Sequence, residues 1–153
     1  MRALELKVPP VAVWLICGGI MWLIRRALAD ASYTLPGAAI IAAGIAISGF
    51  CVAIAGVLAF RRHGTTVDPT DPQKTTAVVR SGIYRFTRNP MYLGLAAALL
   101  GWAVYLQNAA ALLMLPVFLL YMTELQIKPE ERALLEMFGS SYSDYKQAVR
   151  RWL

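Results

Sequence analysis

The sequence predicts an all-α integral membrane protein, a helical bundle of about four transmembrane helices followed by a C-terminal amphipathic cytoplasmic helix. Three observations carry this. Of the 153 residues, 58% are hydrophobic and the mean hydropathy is +0.53, above the roughly 45–50% apolar content of soluble domains. Charged residues gather in a few stretches and leave long uncharged runs between them, as a bilayer requires. Those runs are long enough to cross a hydrocarbon layer of about 30 Å at about 1.5 Å per helical residue. The chain reads as one membrane domain over 1–153, with two transmembrane helices in 1–60, a cytoplasmic loop at 61–89, a transmembrane hairpin at 90–127 and a cytoplasmic helical segment at 128–153.

The first apolar run goes from Val8 to Ile24, opens on Pro9-Pro10 and is closed by Arg25 and Arg26. Proline is tolerated at a helix start because the first N–H groups have no intrahelical partner. This run has no clear small-residue cleavage site and further spans follow it, so it is expected to be a retained helix and not a signal peptide. A short polar connection over Ala29 to Pro36 leads to a second run from Leu35 to Phe60, punctuated by Gly37, Gly44, Gly49 and Gly56. Small residues let helices approach closely in lipid, and packing is the expected role of these four.

The stretch from Arg61 to Asn89 is polar, basic and turn-rich, with Asp68-Pro69 and Asp71-Pro72 as turn signals. The third run, Pro90 to Leu106, is broken at Gln107-Asn108. The fourth, Ala109 to about Ile127, contains Pro116 as an expected kink. So short a break predicts a tight helical hairpin. In the tail, Leu134, Leu135, Phe138, Tyr142, Tyr145 and Val149 recur at helical spacing, with Gly139 as an expected interruption.

The charges predict an orientation. Arg61, Arg62, Lys74, Arg80, Arg85 and Arg88 crowd the long loop, Lys128, Arg132, Lys146, Arg150 and Arg151 crowd the tail, and the Gln107-Asn108 turn has none. Both termini and the long loop then belong in the cytoplasm by the positive-inside rule, with Arg25 and Arg26 on the opposite side. The net charge of +6 does not mark a nucleic-acid binder, because the basic residues flank apolar runs and form no continuous stripe. Membrane lipid head groups are the expected partners of that charge. Cys17 and Cys51 both sit in apolar runs and His63 is the single histidine. Neither a disulfide framework nor a metal site is expected, and both thiols are expected to be buried as small apolar groups.

A tight hairpin returns the fourth helix beside the third, so Arg80–Gly94 and Glu124–Trp152 should meet at one membrane face. Arg88, Asn89 and Tyr92 then lie near Glu130 and Glu131. The acidic pair after Pro129 admits two readings. Carboxylates in a first helical turn complement its positive end, and one glutamate pointing into a pocket would hold a cationic ligand group. Asn89-Pro90 reads as a cap and helix start, Glu124 as an interfacial carboxylate, and Tyr84, Tyr92, Tyr142 and Tyr145 as candidates for an aromatic belt. Walker, GxGxxG, HExxH and GxSxG motifs are all missing from the sequence.

Taken in order, GTTVDP at 64–69, SGIYRFTRNPMYLG at 81–94 and PEERALLEMFGSSYSDYKQAVRRWL at 129–153 resemble the isoprenylcysteine carboxyl methyltransferase family, and more broadly the membrane methyltransferases that include phospholipid N-methyltransferases. The resemblance covers roughly the C-terminal 90 residues. It implies S-adenosylmethionine as methyl donor and S-adenosylhomocysteine as product, bound at the cytoplasmic ends of the last helices. It implies a catalytic role for Arg88, Glu130 and Glu131. Cofactor binding is implied for Asn89, Pro90, Tyr92, Leu93, Gly94, Glu130, Glu131, Tyr142, Tyr145 and Arg150. Asn89 stands where the family often has histidine, replacing an imidazole by an amide that still donates and accepts hydrogen bonds. The implied acceptor is a small lipophilic molecule entering from the bilayer, an isoprenylcysteine carboxylate or another carboxyl, amine or thiol. Two other classes compete: a non-catalytic module whose basic loop and tail bind anionic lipid or a protein, and a nicotinamide-dependent lipid reductase. The reductases share an Arg-x-Pro-x-Tyr-like segment but not the acidic pair with the FGxxYxxY tail.

Overall fold

The computed structural model describes residues 5–64 and 76–153. Asp68, Pro69, Asp71, Pro72 and Lys74, together with all of GTTVDP beyond Gly64, lie outside the described residues. Six helices follow in order: α1 Pro10–Ala27, α2 Ala38–Arg62, α3 Pro90–Leu106, α4 Ala109–Leu112, α5 Met114–Met122 and α6 Lys128–Ala148. A π-helical segment, Thr123–Ile127, joins α5 to α6. No strand forms among the described residues, only an isolated bridge between Ser32 and Asn108.

Three helical stretches are long and apolar enough to cross a membrane: α1, α2 and the continuous run that begins at Ala109. The third run is 40 residues long, but its apolar part ends at Ile127, and the charges begin at Lys128. Helix α3 is apolar too and has 17 residues, about 25 Å at the α-helical rise. The four expected passes are therefore present. Outward-facing Ile40, Ile47, Ile54 and Leu58 on α2 and Leu15, Ile16 and Leu23 on α1 are exposed, which suits lipid as the surrounding solvent.

Helix α3 is the centre of the bundle. Its seam with α2 is closed by glycine: a Cβ at Gly49 would lie 2.6 Å from the Gly94 carbonyl oxygen, and one at Gly101 would lie 2.7 Å from that of Ala42. Backbones this close leave room only for hydrogen. Gly56 also faces α3, against Pro90 and Met91, whereas Gly44 meets nothing and Gly37 forms the left-handed turn (φ 73°) before α2. The packing role expected of four glycines thus belongs to two of them. On another side of α3, Met21, Leu99, Phe118 and Met122 pack fully buried between α1, α3 and α5. Cys17 joins this core, but Cys51 is exposed on α2, because its helical phase points away from α3.

The hairpin is as tight as expected. Gln107 takes a left-handed conformation (φ 50°), and the Asn108 side chain caps the next helix by accepting from the Ala111 N–H at 3.0 Å. The interruption expected at Pro116 falls at Leu113, one turn earlier. Proline lacks the N–H that would bond the carbonyl four residues back, so the ladder fails at Leu112. Pro129, by contrast, starts no helix: Ile127 before it is already helical. The missing N–H instead frees the Leu125 carbonyl, which accepts from the Leu6 N–H at 3.1 Å. Gly139 (φ 52°, ψ −126°) kinks α6 as expected. Leu134, Phe138, Tyr142, Tyr145 and Val149 pack against Ala59, Val79 and Tyr84. Leu135 is 43% exposed and does not join that face.

Candidate active site

Polar side chains converge where α3 begins, α6 begins and the chain ends. Tyr92, in the first turn of α3, donates its hydroxyl to Glu130 Oε1. One residue on, Glu131 is almost entirely buried and ringed by cations. Arg151 donates from Nε at 2.9 Å and from Nη2 at 2.8 Å, Arg88 Nη2 lies at 2.9 Å and Lys146 Nζ at 3.7 Å. Two-pronged arginine–carboxylate bonding of this kind fixes orientation as well as charge.

The tail reaches this place because α6 stops at Ala148 and the next residues are extended. Alternate residues of extended backbone point to opposite sides. Arg151 therefore turns inward and Arg150 outward, leaving Arg150 to contribute its backbone carbonyl, which accepts from the Arg88 N–H at 3.0 Å. The Arg151 carbonyl accepts from Asn89 Nδ2 at 2.9 Å and Thr87 Oγ1 at 3.3 Å, and Trp152 Nε1 donates to Thr123 Oγ1 at 3.2 Å. Asn89 does precede the helix, but its side chain makes no capping bond; it is spent on the tail.

A layer of tyrosines backs the cluster. Tyr145 donates to the Tyr84 carbonyl at 2.8 Å, Arg80 reaches Ser141 Oγ at 2.7 Å, and Tyr142 and Tyr145 meet edge to face. Tyr84, Tyr92, Tyr142 and Tyr145 are 3–6% exposed, so none belongs to an interfacial belt. The belt expectation fails because the loop before α3 folds back over α2 and α6 and covers them. Glu124 is paired with Lys128, one turn along the helix, at 2.6 Å.

Two adjacent carboxyls thus sit in opposite fields. Glu130 and Glu131 both lie beyond the apolar segment ending at Ile127. Burial pushes Glu130 up to about 8; the Tyr92 hydrogen bond opposes this and the neighbouring Glu131 charge adds to it. Burial also pushes Glu131 upward, but the Arg151 hydrogen bond and the charges of Arg88, Arg151 and Lys146 outweigh it and hold Glu131 below its ordinary value. The result is a proton-holding group beside a permanent anion set in excess positive charge.

Of the residues expected from sequence, Arg88, Asn89, Tyr92, Glu130 and Glu131 come together in this cluster. Tyr142 and Tyr145 stand behind it. Pro90 and Gly94 face α2, where they serve helix packing, and Leu93 is partly buried on α3. Sequence reasoning missed Arg151 and Lys146. The only signal for them was the density of basic residues in the tail, which does not say which side each faces.

The model of the phospholipid methyltransferase family matches residues 38–141. An uncharacterized protein of Haemophilus influenzae is 46% identical over 63 residues, 41% of this chain and all of that one. Methanethiol S-methyltransferase 1 of Bradyrhizobium diazoefficiens is 40% identical over 67 residues, 44% of this chain and 22% of that enzyme. Protein-S-isoprenylcysteine O-methyltransferase of Saccharomyces cerevisiae is 30% identical over 80 residues, 52% of this chain and 34% of that enzyme. The chain thus spans between a fifth and about a third of the length of these two named enzymes. No solved structure matches significantly.

Proposed function

The chain belongs to the phospholipid methyltransferase family, and from that premise we propose that it is an integral membrane S-adenosylmethionine-dependent methyltransferase acting on a small lipophilic acceptor. The observation that carries the proposal is the pairing of Glu130 and Glu131 with Tyr92, Arg88 and Arg151 at one end of the bundle. The donor set suits the cofactor's amino acid moiety. Glu130, bonded to Tyr92, offers a carboxylate for an ammonium group. Around Glu131, Arg88, Arg151 and Lys146 give three cations to one anion, leaving positive charge for a carboxylate. Arg88 Nε is buried and has no hydrogen-bond partner, a cost for which a ligand acceptor would compensate.

The cofactor supplies an electrophilic methyl group on a sulfonium, so the protein's task is chiefly alignment. Glu131 sets the side chains of Arg88 and Arg151, and the tail locks Asn89 and Thr87 at the mouth of α3. A carboxylate acceptor needs no base; for a thiol or amine acceptor, Glu130 is the group placed to take a proton. The lipophilic acceptor enters sideways from the bilayer while the polar cofactor enters from water. The site end carries Arg61, Arg62, Arg80, Arg85, Arg88, Lys128, Arg132, Lys146, Arg150 and Arg151, which supports a cytoplasmic orientation, at the inner membrane in a bacterium.

Titration of the detergent-purified chain with S-adenosylhomocysteine by calorimetry tests this. Saturable binding is expected, lost in a Glu130→Ala/Glu131→Ala variant that retains its helical circular dichroism. No binding to the folded native chain would sink the proposal and favour a non-catalytic module. Binding that survives in the variant would remove the acidic pair from the site.

A further inference from the structure

At the end of the bundle opposite the candidate active site, α1 and α2 both pack on α3 and leave an open groove of about 770 Å³ between them. Its walls are apolar and aromatic, with Trp14 and Trp22 from α1, Phe50 from α2 and Leu99 and Trp102 from α3. A second cavity of about 480 Å³ adjoins it. This one shares Trp22, Trp102 and Tyr105 with the groove and adds Arg25, Arg26 and Gln107. The whole is an apolar slot with a cationic mouth.

We propose that this slot holds a glycerophospholipid, with its phosphate at Arg25 and Arg26 and an acyl chain along α3, in the leaflet opposite the candidate active site. From Trp14 to Arg26 the groove runs about 18 Å at the α-helical rise, slightly more than one leaflet of a hydrocarbon core of about 30 Å. Trp22, Trp102 and Tyr105 lie where aromatic side chains favour the head-group layer. Arg25 gives Nη1 to the Leu106 carbonyl, which anchors its guanidinium at the mouth while its other N–H groups remain for a phosphate. Arg26 is exposed and lies over the Trp22 ring at 4.8 Å. Asp30 is the acidic residue of the same connection, so the mouth keeps a net positive charge and favours an anionic lipid over a zwitterionic one. Basic pockets between transmembrane helices bind anionic head groups on the same principle. The pair also breaks the positive-inside pattern that the other arginines obey, and a bound phosphate supplies the counter-charge.

The experiment is tryptophan fluorescence of the full chain in phosphatidylcholine vesicles, with acyl-brominated phosphatidylglycerol or acyl-brominated phosphatidylcholine added in steps. Trp14, Trp22 and Trp102 line the groove and report on it. In the native chain, brominated phosphatidylglycerol should reach half-maximal quenching at a mole fraction at least three-fold lower. The Arg25→Gln/Arg26→Gln variant should lose that preference. Arg26→Gln, which leaves the Arg25–Leu106 bond in place, should halve it. Gly19→Leu should weaken quenching by both lipids, because a Cβ at Gly19 meets nothing within 4 Å and the new side chain enters the slot without displacing backbone. Equal quenching of the native chain by the two lipids, or a preference unchanged in the arginine variants, would overturn the proposal. So would quenching that vanishes as protein density rises, which would identify a second copy of the chain as the occupant.

Discussion

The two ends of this bundle are built from the same helices on different principles. At the hairpin end, polarity is absorbed by backbone. Asn108 gives Nδ2 to the Leu28 carbonyl at 2.8 Å and takes the Ala111 N–H. Gln107 accepts the Leu35 N–H at 2.7 Å, and its own carbonyl accepts the Tyr33 N–H. Each side-chain group there closes a turn. At the other end, side chains meet side chains: a glutamate with three cations and a glutamate with a tyrosine. Completed turns leave nothing to offer a ligand, whereas the charge cluster holds more cations than it neutralises. The contrast separates a stability device from a candidate site within one fold.

That separation can be broken or sharpened by experiment. The largest effect is expected from Glu131→Ala, which leaves Arg88, Arg151 and Lys146 crowded without their anion. Removing one partner of a buried pair costs about 3–5 kcal/mol, so unfolding in mixed micelles should shift by that amount and S-adenosylhomocysteine affinity should fall by more than tenfold. An unchanged affinity would place the site elsewhere. Next is the pH dependence set by Glu130. Its folded-state value of about 8 lies above the ordinary 4.5, so the folded chain keeps a proton that the unfolded chain loses. Its contribution is full below about pH 4.5 and is lost as pH rises toward 8, by at most about 1.4 kcal/mol per pH unit. Glu130→Gln should flatten that slope in the ligand-free protein; an identical slope in the variant would show that Glu130 is not the titrating group. At the hairpin end, Asn108→Ala removes a cap and leaves the Leu28 carbonyl unpartnered, a loss of about 2 kcal/mol with no change in cofactor affinity. A matching drop in affinity would show that the two ends are coupled.

Much of this was legible in the residues. Pro90 and the Gln107-Asn108 break bound α3 to the residue, because proline and an uncharged polar pair punctuate an otherwise unbroken apolar run. The meeting of Arg88 and Tyr92 with Glu130 and Glu131 followed from hairpin geometry alone. What stayed hidden depends on helical phase and on termination. Pro129 looks like a helix start from sequence, yet the chain arrives there already helical, so the acidic pair has no free N-terminus to complement. Arg150 and Arg151 are indistinguishable until the helix is known to end at Ala148 and the backbone to alternate sides. The tyrosines look interfacial until a loop folds over them. The groove is invisible to periodicity because glycines and alanines line it as readily as they close the α2–α3 seam.

The π-helical segment has a consequence for how this chain tolerates changes of length. A π turn accommodates one residue more than an α turn, and such turns commonly mark functional sites. Deleting one residue within Thr123–Ile127 should restore α geometry and rotate everything downstream by about 100° about the helix axis. Glu130 and Glu131 would swing away from Tyr92 and Arg88 with the fold and composition otherwise intact. The spacing of this stretch is then under as much constraint as its residue identities, and a Leu125 deletion that still bound S-adenosylhomocysteine would show the phase to be unimportant.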